Sequence, residues 1–226
     1  MSAWSISGDQ TLCKQQVTIT MRIFLIRHGE TIFNANRTIQ FGDTPLSDRG
    51  LEQARQLGER MRDEPITAIL SSDYARAHRT AEAVRHTTGA AVQIQTSLRE
   101  RHLGDHRGTP FAELDVDVFA RDYHPPNGES WAQFHDRTER AWQEVLDYAA
   151  RQASGDFAVV SHALVCRALV DRCVTLPEAL IPAAGIRFGN TAVTIIDSDT
   201  NTVTLLGCTA HLSEDQLTFP NHPPGV

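Results

Sequence analysis

Residues 23–26, Ile-Phe-Leu-Ile, and residues 157–160, Phe-Ala-Val-Val, are apolar without alternation. A strand with one wet face alternates, so runs like these belong to strands covered on both faces, in a sheet held between helices. "TAILSS" (67–72) reads as another such strand and "AVQIQTSL" (91–98) as a third candidate. Helical periods lie between them. Leu51, Ala54, Leu57 and Met61 fall three or four apart in a helix beginning near Gly50. Ala77, Ala81 and Val84 mark a second helix, stopped by "TTGA". Trp131, Phe134, Thr138, Ala141 and Val145 carry a long helix up to about Arg151, with Trp131 and Trp142 as core anchors. His162 to Val170 gives one more helix, and "TAVTIID" and "TVTLLG" are late strands joined by a polar hairpin-like turn.

Strands alternating with helices predict an α/β fold: a single three-layer α/β/α domain with a mostly parallel mixed sheet, the terminal hairpin adding an antiparallel edge. Residues 101–128 break the rhythm with several glycines and prolines and no sustained period. That stretch reads as an inserted lid, with a short helix around Phe111 to Phe119. The expected boundaries are an N-terminal extension over 1–20, the domain over 21–212, and a tail over 213–226. The final "FPNHPPGV" is proline-rich and predicts little regular structure.

Composition excludes several functions. A formal net charge of −7 disfavours non-specific binding to nucleic acid or acidic membranes, which need a basic surface. No apolar run approaches the roughly 20 residues that span a bilayer. The first twenty residues lack the basic start and continuous apolar stretch of a secretory signal. Cys13, Cys166, Cys173 and Cys208 are scattered, so reduced thiols in a cytoplasmic protein are the expectation. No compact metal-ligand set, P-loop or dinucleotide fingerprint occurs in the chain.

In open α/β sheets ligands bind beyond the carboxyl ends of the strands. The first strand leads into Arg27, His28, Gly29 and Glu30, the second into Ser71, Ser72 and then Arg76. The third leads into Arg99, Glu100, Arg101 and His102, and "FAVV" into Ser161 and His162. One rim therefore collects two histidines, an acid and several arginines. A neutral imidazole is a nucleophile able to form a covalent intermediate. Arginines match the oxygens of a phosphoryl group, and an acid can protonate a departing alkoxide. Together these residues read as phosphoryl transfer through phosphohistidine. His102, His106 and Arg107 fit either a substrate wall or a wet loop.

"LIRHGETIFN" resembles the signature of the histidine phosphatase superfamily, and "SSDYARAHRTAE", "LRERHLG" and "VVSHALVCRAL" resemble its later blocks. "NGESWAQFHDR" is similar to a feature of the phosphatase branch, and "CTAHL" is another familiar trait. The resemblance spans about residues 21 to 212. It implies that His28 is phosphorylated, that Arg27, Asn34, Arg76 and His162 hold the phosphoryl group, and that Glu100 is the acid. It also implies a metal-independent reaction with no cofactor. The free ring N–H of His28 should be pinned by a backbone carbonyl near Gly29.

The chain departs from the family pattern at three places. Ala163 stands where a glycine usually follows the second histidine. The segment from Asn34 to "GDTPLS" is one residue short, which leaves Arg37 and Gln40 as substrate-binding candidates without a firm alignment. "GDHRG" replaces the usual Gly-x-Trp-Glu-Gly type ending, giving a more basic wall with Arg101 and Arg107 as further candidates. Mutases of the family resemble one another in a long insertion with an arginine pair after the acid. Here Arg101, Arg107 and Arg121 are not adjacent, which favours hydrolysis. The expected partner is a small phosphorylated metabolite; the sequence is compatible with a homo-oligomer, and a bisphosphate-dependent mutase or a phosphoprotein-directed member is the alternative.

Overall fold

The computed structural model describes residues 21–152, 155–183 and 185–217. The extension over 1–20 and the "FPNHPPGV" end lie outside the described residues. In chain order the elements are β1 (Arg22–Arg27), α1 (Ile32–Ala35), α2 (Asp48–Met61), β2 (Ile66–Ser71), α3 (Ala75–Thr88) and β3 (Ala91–Ile94). There follow α4 (Trp131–Ala150), β4 (Asp156–Ser161), α5 (Ala163–Arg172), β5 (Val193–Asp197) and β6 (Thr202–Cys208). The strands form one sheet in the order β3-β2-β4-β1-β5-β6. β3, β2, β4 and β1 are mutually parallel, and β5 runs against both β1 and β6. The predicted three-layer domain with a mostly parallel mixed sheet is the one observed.

Successive side chains of a strand point to opposite faces. Ile23, Leu25, Phe157 and Val159 pack with Phe134, Trp142 and Val145 of α4 and Leu169 of α5. Phe24, Ile26, Ala158 and Val160 pack on the other side with Leu57 and Met61 of α2 and Ala77, Ala81 and Val84 of α3. Both faces of the central strands are thus covered, which explains their lack of alternation.

Several expectations are corrected. α2 starts at Asp48, because the Ser47 side chain accepts from the Gly50 N–H and caps it there. Leu51 is 40% exposed, and Gly50 and Gln53 are buried on that helix instead. The third strand stops at Ile94; β3 is a sheet edge with exposed residues, and the chain tightens into a 3₁₀ turn at Thr96–Leu98 that buries Leu98. The helix expected around Phe111 to Phe119 is one 3₁₀ turn, Phe111–Glu113. Trp142 is a core residue, whereas Trp131 is half-buried and its indole N–H donates to the Ala120 carbonyl (2.9 Å).

Residues 101–128 share a small separate core with Ile39: Ile39, Leu103 and Val118, flanked by Phe111, Leu114, Phe119 and Tyr123. The loop after α1 pairs with this segment through Ile39 N to Thr109 O (3.0 Å) and Gly108 N to Ile39 O (2.8 Å). At the far end of the chain, Arg49 and Gln53 donate to carbonyls of Asp215, Gln216 and Leu217, fastening the start of the tail to α2. Among the described residues no helix is long and apolar enough to cross a membrane.

Candidate active site

The loop leaving β1 turns sharply because two glycines meet there. A Cβ on Gly29 would lie 2.6 Å from the Gly50 carbonyl oxygen, and one on Gly50 would lie 1.9 Å from that of Glu30. Only hydrogen at both positions lets the N-terminus of α2 press against the turn. That turn fixes His28. Its backbone N–H donates to Ser161 O (3.0 Å), and its carbonyl accepts from Asn190 Nδ2 (3.1 Å) and Thr191 N (3.3 Å).

His28 is buried, with Nδ1 2.7 Å from the Gly29 carbonyl and Nε2 3.2 Å from Nε of Arg76. A carbonyl only accepts and a guanidinium only donates, so the proton is on Nδ1 and the lone pair on Nε2. Burial, then Arg76 and Arg27, hold the His28 pKa well below its ordinary value, so the ring is neutral. His162, at the N-terminus of α5, is equally buried, and the two imidazoles meet edge to face with centroids 5.1 Å apart. Burial, Arg76 and His28 hold His162 neutral too.

Arg76 sits in the first turn of α3 under the ring of Tyr74, with Nη1 on the Phe41 carbonyl (2.9 Å). Burial lowers its pKa to about 10, which leaves it charged at neutral pH. Arg27 is buried and donates from Nη1 to Phe188 O (2.7 Å). The Glu100 carboxylate accepts from the N–H groups of Arg101 (3.0 Å) and Leu164 (3.1 Å). Loss of hydration lifts its pKa above the ordinary carboxylate value, outweighing those donors and the two arginines. A carboxyl whose protonated form burial favours and a neutral imidazole thus face the same fixed positive charge.

The five residues Arg27, His28, Arg76, Glu100 and Asn34 line one pocket with Arg37, Gln40, Arg101 and Arg107. Asn34 Oδ1 accepts from Thr31 N (3.2 Å) and Asn190 Nδ2 (3.4 Å). Gln40 Oε1 accepts from Thr31 Oγ1 (2.9 Å), and Arg107 Nε donates to Gly104 O (3.0 Å) beside the Phe41 ring. Arg37 adopts φ 52° at the turn that sends the chain toward the lid. Arg101 borders the pocket, but its guanidinium is directed onto the carbonyls of Glu129, Val118 and Tyr123 and stacks 3.8 Å from the Trp131 ring centroid. It ties the segment after Glu100 to Val118, Tyr123 and Glu129. His106 also serves the lid, through Tyr123 Oη (2.6 Å).

Sequence reasoning missed three supports. Asn190 is fully buried and ties His28 to Asn34, yet "GNT" gave no signal for it. Tyr74 packs edge to face on His162 at 5.4 Å, visible beforehand only as an aromatic inside the Arg76 block. Arg137 forks onto Glu129 at 2.7 Å through two nitrogens and donates to Ser97 O (2.7 Å) and Arg99 O (2.8 Å), fixing the loop that carries Glu100.

Among the described residues, no group of three His, Cys, Asp or Glu side chains is arranged to hold a metal ion. The histidine phosphatase superfamily (branch 1) pattern matches residues 23–210. The chain is 32% identical over 211 residues to the phosphoglycerate mutase-like protein 4 of Arabidopsis thaliana, covering 85% of this chain and 87% of that one. Among solved structures it is similar to Bacillus stearothermophilus YhfR, with a TM-score of 0.72 and 30% identity over 85% of this chain and 100% of the other. A mycobacterial glucosyl-3-phosphoglycerate phosphatase gives a TM-score of 0.68 at 28% identity, covering 84% of this chain and 99% of that structure.

Proposed function

Because the chain belongs to branch 1 of the histidine phosphatase superfamily, we propose that it hydrolyses small organic phosphomonoesters through a phosphohistidine on His28. The carrying observation is the tautomer of His28: Nδ1–H held by Gly29 O, and a lone pair on Nε2 facing Arg76. In the first step Nε2 attacks phosphorus and the bond to the ester oxygen breaks. The departing oxygen takes the proton of Glu100. Arg27, Arg76 and His162 hold the phosphoryl oxygens, with Asn34 at the rim. In the second step the Glu100 carboxylate takes a proton from water, whose oxygen attacks phosphorus. The N–P bond then breaks, releasing inorganic phosphate and restoring His28.

No divalent ion is required in this scheme, since two buried guanidiniums supply the charge. The rest of the pocket favours a leaving group with apolar surface. Phe33, Ile39, Leu103, Phe111, Phe119 and Leu164 line it, together with the polar side chains of Arg37, Gln40 and Arg107. Hydrolysis rather than mutase activity is supported by Arg101, whose guanidinium donates to the carbonyls of Val118, Tyr123 and Glu129, which reduces the cations left to retain a bisphosphate.

The test is a hydrolysis screen over small phosphomonoesters with and without a chelator, run beside His28→Ala. Turnover should survive chelation and vanish in the variant. Loss on chelation, or persistence in His28→Ala, refutes the mechanism. Bisphosphate-dependent isomerisation of phosphoglycerate that outpaces hydrolysis would instead make the protein a mutase.

A further inference from the structure

The two nitrogens of His162 have unequal surroundings. Nε2 lies 2.9 Å from the Ser72 hydroxyl, whereas Nδ1 is buried without a hydrogen-bond partner. A buried polar nitrogen left unpaired is costly, and here it belongs to a fully buried ring beside the proposed nucleophile. His162 is neutral and therefore has one N–H to place.

Ser72 decides where that proton goes. The residue is fully buried where β2 hands over to α3, and its backbone N–H donates to Val160 O (3.0 Å). Its Oγ accepts from the Tyr74 N–H (3.3 Å). Tyr74 donates to one of the two lone pairs of Oγ, the hydroxyl proton still needs an acceptor, and among the described residues Nε2 of His162 is the one within hydrogen-bond reach. A hydroxyl donating to Nε2 obliges the ring proton to sit on Nδ1. The opposite arrangement would leave Nδ1 a buried bare lone pair with no proton to offer an anion.

We propose that Ser72 is a positioning residue, whose hydroxyl donates to Nε2 of His162 and so keeps the ring proton on Nδ1 for a phosphoryl oxygen. The consequence for catalysis rests on the phosphohistidine reading; the tautomer itself does not. The hydroxyl acts on a neutral ring as a selector between two forms, and it touches no substrate. His162 then serves as a directed donor alongside Arg27 and Arg76, one whose hydrogen bond strengthens as charge accumulates on the equatorial oxygens. His28 is set the same way by a different group: the Gly29 carbonyl puts its proton on Nδ1 and opens Nε2. The two rings thus carry the same tautomer for opposite purposes, one to attack and one to donate.

Nitrogen-15 NMR of the wild-type protein reads this without any variant. His162 should show a protonated Nδ1 and an unprotonated Nε2, and inorganic phosphate should shift the Nδ1 signal most. Ser72→Ala should bring up the Nε2-protonated form, weaken phosphate inhibition about tenfold and lower kcat more than it raises KM. Ser72→Thr, which keeps the hydroxyl, should recover most of the lost kcat. A wild-type spectrum with the proton on Nε2 overturns the proposal, as does a Ser72→Ala protein with unchanged His162 signals and unchanged turnover. Should no phosphomonoester be hydrolysed while the spectrum is as described, the assigned reaction fails and the tautomer assignment stands.

Discussion

Nε of Arg76 donates to Nε2 of His28 across 3.2 Å, so the guanidinium proposed to hold the phosphoryl group lies against the lone pair proposed to attack it. For the reaction to proceed, that N–H has to turn onto a phosphoryl oxygen as phosphorus approaches Nε2. The arginine thereby keeps the imidazole unprotonated until substrate replaces it as partner. His28→Ala should lose at least about 10⁴-fold in kcat, the scale on which removal of a nucleophile acts. Label from a ³²P ester should stay on wild-type protein after an alkaline quench and leave it in acid, as expected of an N–P bond. Label stable to acid would place the phosphoryl group on another residue.

The rim of the site was legible because it is written in the strand ends. Arg27 lies opposite Ser161 in the parallel pairing of β1 with β4, so His28 and His162 leave the sheet side by side. A fully apolar strand followed by a histidine is a local signal, and two such strands needed only adjacency. What supports the rim was not legible. Asn190 reaches His28 from 162 positions away, and nothing in its neighbours' periodicity marks it. Arg101 read as part of a basic substrate wall; it borders the pocket, but its guanidinium donates to the carbonyls of Val118, Tyr123 and Glu129, contacts that no local pattern announces. β3 was overextended for a similar reason: Leu98 is apolar in sequence, but it is buried by a turn and not by a strand.

Acid–base roles predict a pH dependence whose sign follows from the two displaced pKa values. The first step needs neutral His28 and protonated Glu100. His28 is pushed well below 6.5 and Glu100 above 4.5, both chiefly by burial, which widens the range in which the two forms coexist. For an alkyl phosphate, kcat/KM should fall as pH rises through the Glu100 pKa. Glu100→Gln should abolish that limb and cost about 10²- to 10⁴-fold. p-Nitrophenyl phosphate, whose leaving group needs little protonation, should lose far less in the same variant. The ratio of the two rates largely cancels the substrate's own ionisation near pH 6. Equal losses for both esters would remove Glu100 from the role of acid.

The Glu129–Arg137 pair predicts a separation of chemistry from binding. Arg137 donates to the carbonyls of Ser97, Arg99 and, at 3.4 Å, Glu100, all on the loop that carries the carboxyl. Lysine keeps its charge but not the fork that grips Glu129 at both oxygens. Arg137→Lys should therefore lower kcat between about ten- and a hundredfold, the cost of a misplaced acid, while inhibition by inorganic phosphate stays near wild type. A parallel loss of phosphate affinity would mean that the whole pocket, and not the Glu100 loop, depends on this pair.

Acid stability offers a check on the protonation states that does not pass through activity. His211 donates from Nε2 to Thr191 Oγ1 (2.9 Å) and accepts at Nδ1 from Arg60 Nη1 (3.1 Å), an arrangement open only to the neutral ring. Burial first, and Arg60 second, lower its pKa from 6.5 to about 4. Between those two values the unfolded chain binds the proton and the folded one does not, so stability falls as pH drops through that window. The slope from one such group is at most about 1.4 kcal/mol per pH unit, and His28 and His162, displaced in the same direction, add to it. Glutamine at 211 can hydrogen-bond to both neighbours and does not titrate. His211→Gln should therefore lose about 1 kcal/mol less than wild type when urea unfolding is compared at pH 7 and pH 5. Identical losses in the two proteins would show that His211 enters the folded state already able to take a proton, contrary to its contact with Arg60.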